Sequence, residues 1–249
     1  MFTVEQRDAL RARVLQLADE DERVVAGAAV GSLALGAGDR FSDLDLTFAV
    51  ADDATVAGVL DDWSRTLVDE LEAVHLADLE RGSTIYRVFL LPDALQFDLS
   101  ITPAAEFRAG GPRFKLLFGG TTLEPKFPVP PVAADLFGWG VIYALHSRSC
   151  IERGRLWQAE HYVGAVRDHA LALACLREGV PAVQARGYDD LSAETLAGFE
   201  GTHVGAPESE ALRAALAASV VALLLEGADA LVPHSDLVAQ RLAELVPPA

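Results

Sequence analysis

Residues 24–50 read VVAGAAVGSLALGAGDRFSDLDLTFAV, and the rest of the chain is organised around this stretch. It predicts a short apolar strand, a tight turn at Gly31-Ser32, a linker of small residues, and a second strand that begins at Asp43. Successive side chains of a strand point to opposite faces of the sheet. Asp43 and Asp45 are therefore expected to share one face, while the leucines that alternate with them share the other.

The two aspartates predict a metal site. Carboxylates at positions i and i+2 of a strand lie roughly 6–7 Å apart at the backbone, close enough to bind one divalent cation. On a buried strand without a cation the two charges would repel each other, and at least one pKa would rise. A cation between Asp43 and Asp45 relieves that repulsion.

The turn that precedes the aspartates predicts a phosphate-binding element. Gly31 lets the backbone approach a ligand closely. Ser32 is expected to cap a short helix and to present its hydroxyl and free N–H groups to an anion. An anion site ten residues ahead of a carboxylate pair suits a complex of a metal ion with a nucleotide.

Gly31-Ser32, ten intervening residues and Asp43-Leu44-Asp45-Leu46 together resemble the signature of the nucleotidyltransferase superfamily, which includes DNA polymerase beta and the antibiotic nucleotidyltransferases. In that superfamily a third acidic residue, on a later strand, completes the metal site. Asp98 matches this position, because it lies in a predicted strand over 94–101 in which apolar and polar residues alternate. The resemblance therefore implies a Mg²⁺ site formed by Asp43, Asp45 and Asp98.

The resemblance also implies which residues bind the nucleotide. Gly31 and Ser32 would position the phosphates, and Ser42, directly before the aspartate pair, would donate its hydroxyl to one of them. Relatives commonly carry an arginine two or three residues after the Gly-Ser turn, where this chain has Ala34 and Leu35. That charge would have to come from another cation: Arg40, Lys115 or Lys126. Without it, nucleotide affinity falls or catalysis is lost.

The periodicity of apolar residues predicts two domains. Residues 1–127 are expected to form an α/β domain with a mixed sheet, and residues 128–249 an all-α helical bundle. The resemblance implies that the first is the nucleotidyltransferase domain and that the second binds the substrate. Thr3 and Gln6 predict a capping box for a first helix over 3–20. The other elements expected in the first domain are a helix over 53–72 and strands over 73–79, 84–91 and 114–118. Prolines at 128–131 mark the boundary, and helices follow at 132–153, 156–178, 192–200, 207–226 and 234–246.

The helix predicted over 156–178 resembles part of the helical domain of aminoglycoside and lincosamide nucleotidyltransferases. In that group a glutamate of this domain can serve as general base, and Glu160 is the positional candidate here. Asp98 is the other candidate for the proton acceptor. An ordinary surface salt bridge is the alternative interpretation of Glu160.

Composition limits the partners. A net charge of −17 argues against nucleic-acid binding, because no basic stripe is present to neutralise phosphates. The same charge would attract a cationic substrate. A source whose proteins are acidic in general would explain the charge equally well. The N-terminus lacks the pattern of a signal peptide, and no apolar run reaches the ~20 residues of a membrane span. We therefore expect a cytoplasmic protein with no membrane partner. It is expected to be a monomer or a homodimer.

These observations predict a magnesium-dependent enzyme that transfers a nucleoside monophosphate from a nucleoside triphosphate, ATP above all, to a hydroxyl of a small molecule. The resemblance implies an antibiotic acceptor, an aminoglycoside or a lincosamide. Two alternatives stay open. One is a non-catalytic nucleotide-binding regulator, which the missing arginine favours. The other is a protein-modifying or antitoxin-type nucleotidyltransferase, although such chains are usually short and lack a helical domain.

Overall fold

A six-stranded mixed sheet and a group of helices follow one another along the chain. The computed structural model describes residues 1–36, 38–121 and 123–245, and the chain divides into two units, Met1–Pro128 and Val129–Ala249. The first unit holds all six strands together with two helices, and the described part of the second unit is helical. The predicted fold class, an α/β unit with a mixed sheet followed by an all-α unit, is confirmed.

The first unit contains, in chain order, α1 (Val4–Glu20), β1 (Val24–Val30), β2 (Leu44–Val50), α2 (Val56–Leu71), β3 (Val74–Arg81), β4 (Thr84–Leu91), β5 (Leu95–Pro103) and β6 (Phe114–Phe118). The sheet has the order β3-β4-β5-β2-β1-β6. Its two central strands, β2 and β5, are parallel, and every other neighbouring pair is antiparallel. The parallel pair places residues that are far apart in sequence side by side.

One face of the sheet is covered by α1 and α2. The apolar residues of β2 and β5 point toward this face and are fully buried; Phe48 meets Trp63 of α2 with ring centroids 5.0 Å apart. The predicted capping box starts α1: Gln6 N donates to Thr3 Oγ1 at 3.2 Å, and Thr3 N donates to Gln6 Oε1 at 2.6 Å. The polar residues of β2 and β5 consequently point to the opposite face, which carries the candidate site.

The second unit contains α3 (Ala133–Glu152), α4 (Leu156–Glu178), α5 (Ala193–Ala197), α6 (Ser209–Asp229) and α7 (Ser235–Leu245). Helices α3, α4 and α6 pack together around a core to which α4 contributes a continuous apolar side, including Val163, Val166 and Leu173. A bidentate pair joins α4 to α6, with Arg177 Nε and Glu226 Oε2 2.9 Å apart. The helix predicted over 192–200 is shorter than expected, because Gly198 ends it and a 3₁₀ turn follows at Glu200–Thr202. Residue 246, the last of the predicted final helix, lies outside the described residues.

Among the described residues, α6 is the one helix long and apolar enough to meet the length and composition of a membrane span. Half of its most apolar window is buried inside the protein. Leu212, Leu216 and Leu223 of this helix belong to the core of the second unit. Core packing therefore accounts for the apolar character of α6.

Candidate functional site

Three aspartates meet on the face of the sheet that faces away from α1 and α2. Asp45 of β2 pairs directly with Asp98 of β5 in the parallel register, and Asp43 lies just before β2. One carboxylate oxygen from each of the three lies within 4.8 Å of the others, and all three residues are half-buried. Three carboxylates at this spacing can bind a divalent cation such as Mg²⁺, which prefers oxygen ligands.

Gly31 lies against this cluster. Its backbone has φ 70° and ψ −154°, a region that residues with a side chain rarely adopt. A Cβ atom at this position would collide with Asp45 Oδ2 and come within 3.0 Å of Asp45 Cγ. The glycine of the sequence motif thus provides room for a carboxylate of the candidate metal site as well as a tight turn.

Ser32 has a different local role from the one expected. The segment Ser32–Leu35 is a four-residue 3₁₀ turn whose N-cap position is taken by Gly31, with no side-chain cap. The expectation that Ser32 caps a helix is therefore wrong. A turn this short has few aligned peptide dipoles, so it offers a phosphate much less than the N-terminus of a long α-helix would. The assignment of Gly31 and Ser32 to nucleotide binding stays a prediction.

Ser42 and Arg40 lie in the turn that leads to Asp43. The Ser42 hydroxyl donates to Asp39 Oδ1 at 3.1 Å and accepts from Asp39 N at 3.0 Å. The guanidinium of Arg40 lies over the exposed ring of Phe41, 4.2 Å from its centroid. Both side chains thus make local contacts. To bind a nucleotide as predicted, they would have to replace these contacts with contacts to the nucleotide.

The strand register separates Lys115 from the aspartate cluster. Lys115 of β6 pairs with Ala29 of β1, and Ala29 pairs with Leu46 of β2, whose side chain lies in the core beneath α1 and α2. Paired residues of antiparallel strands share a face. The Lys115 side chain therefore leaves the sheet on the helix side, opposite to Asp45 and Asp98, and is a poor substitute for the missing arginine.

Glu160 is an exposed residue of α4 in the second unit. It has no hydrogen bond or ion pair within the described parts of the chain, so the surface salt bridge considered as its alternative role is not formed there. Its assignment as general base remains a prediction.

Two residues that the sequence analysis did not single out contact the cluster or the turn before it. Gln96 Nε2 donates a hydrogen bond to Asp98 Oδ1 at 2.9 Å. Gln96 and Asp98 are two positions apart on one strand, so the alternation of β5 could have indicated this contact. Arg7 is the second: its Nη1 atom donates to Asp39 O at 2.6 Å and Ser42 O at 3.0 Å. No local pattern in the sequence links Arg7 to that turn.

The environment of Asp98 disfavours its charged form. Burial raises the pKa of Asp98 above its ordinary value, the negative charge of Asp43 adds to the rise, and the hydrogen bond from Gln96 opposes it. A bound cation would remove this penalty, so the electrostatics of Asp98 agree with its geometry as a metal ligand.

This pKa shift predicts a pH-dependent stability. A raised pKa in the folded state means that the ionised carboxylate destabilises the fold above that pKa, and that the penalty disappears as the pH falls through it. Without metal, Asp98→Asn should therefore raise the free energy of unfolding at neutral pH, and the gain should vanish near pH 4, about the ordinary pKa of an aspartate. Urea denaturation in a chelator at several pH values measures this difference.

Asp21→Asn is the control of opposite sign. Hydrogen bonds from the Arg23 side chain lower the pKa of Asp21, whose stabilising effect is present above its ordinary pKa and is lost as the pH falls through the lowered value. Asp21→Asn should therefore destabilise the protein at neutral pH. If Asp98→Asn changed stability equally at all pH values, burial of its charge would not be the cause.

Comparison with solved structures gives several structural likenesses. One of them, the crystal structure of an aminoglycoside 6-adenyltransferase from Bacillus subtilis, matches over 95% of this chain and 96% of that chain, with 13% sequence identity and a TM-score of 0.42. The sequence matches no family model and no curated protein.

Proposed function

We propose that this protein is a magnesium-dependent nucleotidyltransferase that moves a nucleoside monophosphate from a nucleoside triphosphate to a hydroxyl of a small molecule. The observation that carries the proposal is the cluster of Asp43, Asp45 and Asp98 on the face of the sheet opposite α1 and α2. Gly31, the first residue of the motif that precedes the pair, packs against this cluster. The combination of a carboxylate triad and an adjoining glycine turn suits a nucleotide bound together with a cation.

Each residue then has a defined role. Asp43, Asp45 and Asp98 hold the cation, and the backbone of Gly31 with the hydroxyl of Ser32 orients the phosphates. When bound, Mg²⁺ would neutralise charge on the phosphates and acidify the acceptor hydroxyl. The acceptor oxygen attacks the α-phosphorus, the bond to pyrophosphate breaks, and the hydroxyl proton passes to Asp98 or Glu160.

The surface beside Asp98 bears on the acceptor. Val88 of β4 pairs with Asp98, and Tyr86 and Leu90 share the same face, each more than a third exposed. An acceptor whose hydroxyl approaches Asp98 would thus lie along an apolar surface, which favours a molecule with an apolar side. The net charge of −17 favours a cationic molecule instead. An acceptor panel should therefore include lincosamides as well as polycationic aminoglycosides.

Release of pyrophosphate from ATP in the presence of Mg²⁺ and each acceptor tests the proposal. We expect release that requires both the cation and one class of acceptor, together with a higher melting temperature when ATP and Mg²⁺ are added together. The missing arginine favours a second candidate, a nucleotide-binding regulator, because the residue two positions after the Gly-Ser turn is buried Ala34 and the next is exposed Leu35. Nucleotide binding without pyrophosphate release under all conditions would favour that regulator.

The choice between Asp98 and Glu160 as proton acceptor gives a further prediction. Asp98→Asn should lower both transfer and the Mg²⁺-dependent part of nucleotide affinity, because it removes a metal ligand. Glu160→Gln should leave nucleotide affinity unchanged and lower transfer by about 10²–10⁴-fold if Glu160 is the base. Calorimetric titration of ATP with and without Mg²⁺, beside initial rates, measures both.

Glu210→Gln, a neutral change at another exposed glutamate of the second unit, is the matched control and should transfer normally. Full transfer activity in Glu160→Gln would exclude Glu160 as the general base and leave Asp98 as the proton acceptor. An unaltered Mg²⁺ dependence in Asp98→Asn would remove Asp98 from the metal site.

A further inference from the structure

Arg7 of α1 is a buried cation whose partners lie in the turn before Asp43. Only 4% of the residue is exposed. Its Nη1 atom donates hydrogen bonds to the backbone carbonyls of Asp39 and Ser42, at 2.6 and 3.0 Å. The Asp8 carboxylate is 3.9 Å from Arg7 Nε, and its side chain is 63% exposed. The charge of Arg7 is therefore directed chiefly at the turn over residues 39–42.

Stability alone does not explain a guanidinium at this position. Arg7 Nε is buried and has no hydrogen-bond partner in the described structure. A buried, incompletely hydrogen-bonded ion commonly contributes less to stability than an apolar side chain of similar volume. Arg7 donates two hydrogen bonds to one turn, which an apolar residue could not do.

That turn sets the position of Asp43. Asp45 and Asp98 lie within strands, where ladder hydrogen bonds fix their backbone, whereas Asp43 lies just before the first residue of β2. The bonds within the turn itself are local: Ser42 N donates to Asp39 O at 3.3 Å, and the Ser42 hydroxyl donates to Asp39 Oδ1 at 3.1 Å. Arg7 adds the contacts that attach this turn to a helix.

We infer that Arg7 is a positioning residue, which fixes Asp43 at the metal site by binding the carbonyl groups of the turn over 39–42. The inference rests on the proposed function, because it requires that the three aspartates bind a divalent cation. Arg7 acts through Asp43 and touches neither the cation nor a substrate.

The experiment is a titration of the intact protein with Mn²⁺, followed by electron paramagnetic resonance. Arg7→Met should lower Mn²⁺ affinity by about 10–100-fold, the range seen when residues that orient metal ligands are changed. Asp43→Asn should lower it as well, and the double variant should bind no more weakly than Asp43→Asn alone, because the two residues act as one unit. Arg7→Lys should recover part of the affinity, since an ammonium can donate to the same carbonyls.

Arg13→Met is the control, because Arg13 lies on the same helix and its ion pair with Glu70 is at the surface. It should bind Mn²⁺ as the wild type does. Wild-type affinity in Arg7→Met, or losses that add in the double variant, would overturn the role of Arg7. If Arg7→Met does not fold, Arg7→Gln takes its place, and amide hydrogen exchange over residues 38–44 is compared with that of the wild type. Faster exchange in Arg7→Gln supports the inference, and unchanged exchange overturns it. Undiminished Mn²⁺ binding in both Asp45→Asn and Asp98→Asn would instead refute the metal site, and this inference with it.

Discussion

Asp45→Asn is expected to reduce nucleotidyl transfer by more than about 100-fold, because loss of a direct metal ligand should exceed the 10–100-fold losses seen for residues that only orient ligands. Asp45 lies opposite Asp98 in the parallel register. One of its carboxylate oxygens lies within 4.8 Å of a carboxylate oxygen of Asp43 and of Asp98. Asp43→Asn should have a similar effect, since it removes another of the three ligands. The metal-free fold should persist in both variants, because the repulsion between carboxylates is reduced.

Three measurements check this expectation: pyrophosphate release, Mn²⁺ affinity and melting temperature with and without Mg²⁺. The wild type should gain about 2.7 kcal/mol of stability at a ligand concentration of 100 Kd, and the asparagine variants should gain far less at the same concentration. Asp53→Asn is the matched control, because Asp53 is exposed at the start of the segment before α2 and belongs to no carboxylate cluster in the described residues. Wild-type turnover in both variants would refute the metal assignment.

The sequence predicted the part of the site that depends on strand alternation. Leu44 and Leu46 are buried on one face, so Asp45 had to lie on the other, and the same reasoning applies to Asp98 between Phe97 and Leu99. Alternation does not show which strands are neighbours. The resemblance to nucleotidyltransferases supplied that link, and the parallel pairing of β2 with β5 brings the carboxylates together.

The parts that the sequence did not predict depend on tertiary contacts. Arg7 looks like a polar residue on an amphipathic helix, and only the packing of α1 shows that it is buried against residues 39–42. The direction of Lys115 follows from the register of an edge strand, which a sequence pattern does not fix. Serine commonly caps helices, which is the basis of the prediction for Ser32, but the 3₁₀ turn begins at Ser32 itself. Gly31, with φ 70°, therefore occupies the N-cap position.

Gly31→Ala is expected to lower Mn²⁺ affinity and transfer by about as much as loss of a metal ligand, more than about 100-fold, without changing any ligand. Two effects combine. The backbone conformation of Gly31 should destabilise an alanine by about 1–3 kcal/mol, and the added Cβ collides with the Asp45 carboxylate. To relieve the collision, either Asp45 leaves its position beside Asp98 or the turn moves away from β2, and both changes disrupt the cluster.

Gly82→Ala is the control that separates the effect of backbone strain from the effect of the collision with Asp45. Gly82 has φ 62°, and a Cβ there would meet nothing within 4 Å, so alanine should lower the melting temperature while Mn²⁺ affinity stays at the wild-type value. Gly31→Ala should lower both. If the two variants lost stability to a similar extent and both retained Mn²⁺ affinity, the contact between Gly31 and Asp45 would have no part in metal binding. Loss of affinity in Gly31→Ala alone would show that the glycine of the Gly-Ser turn serves the carboxylate site directly.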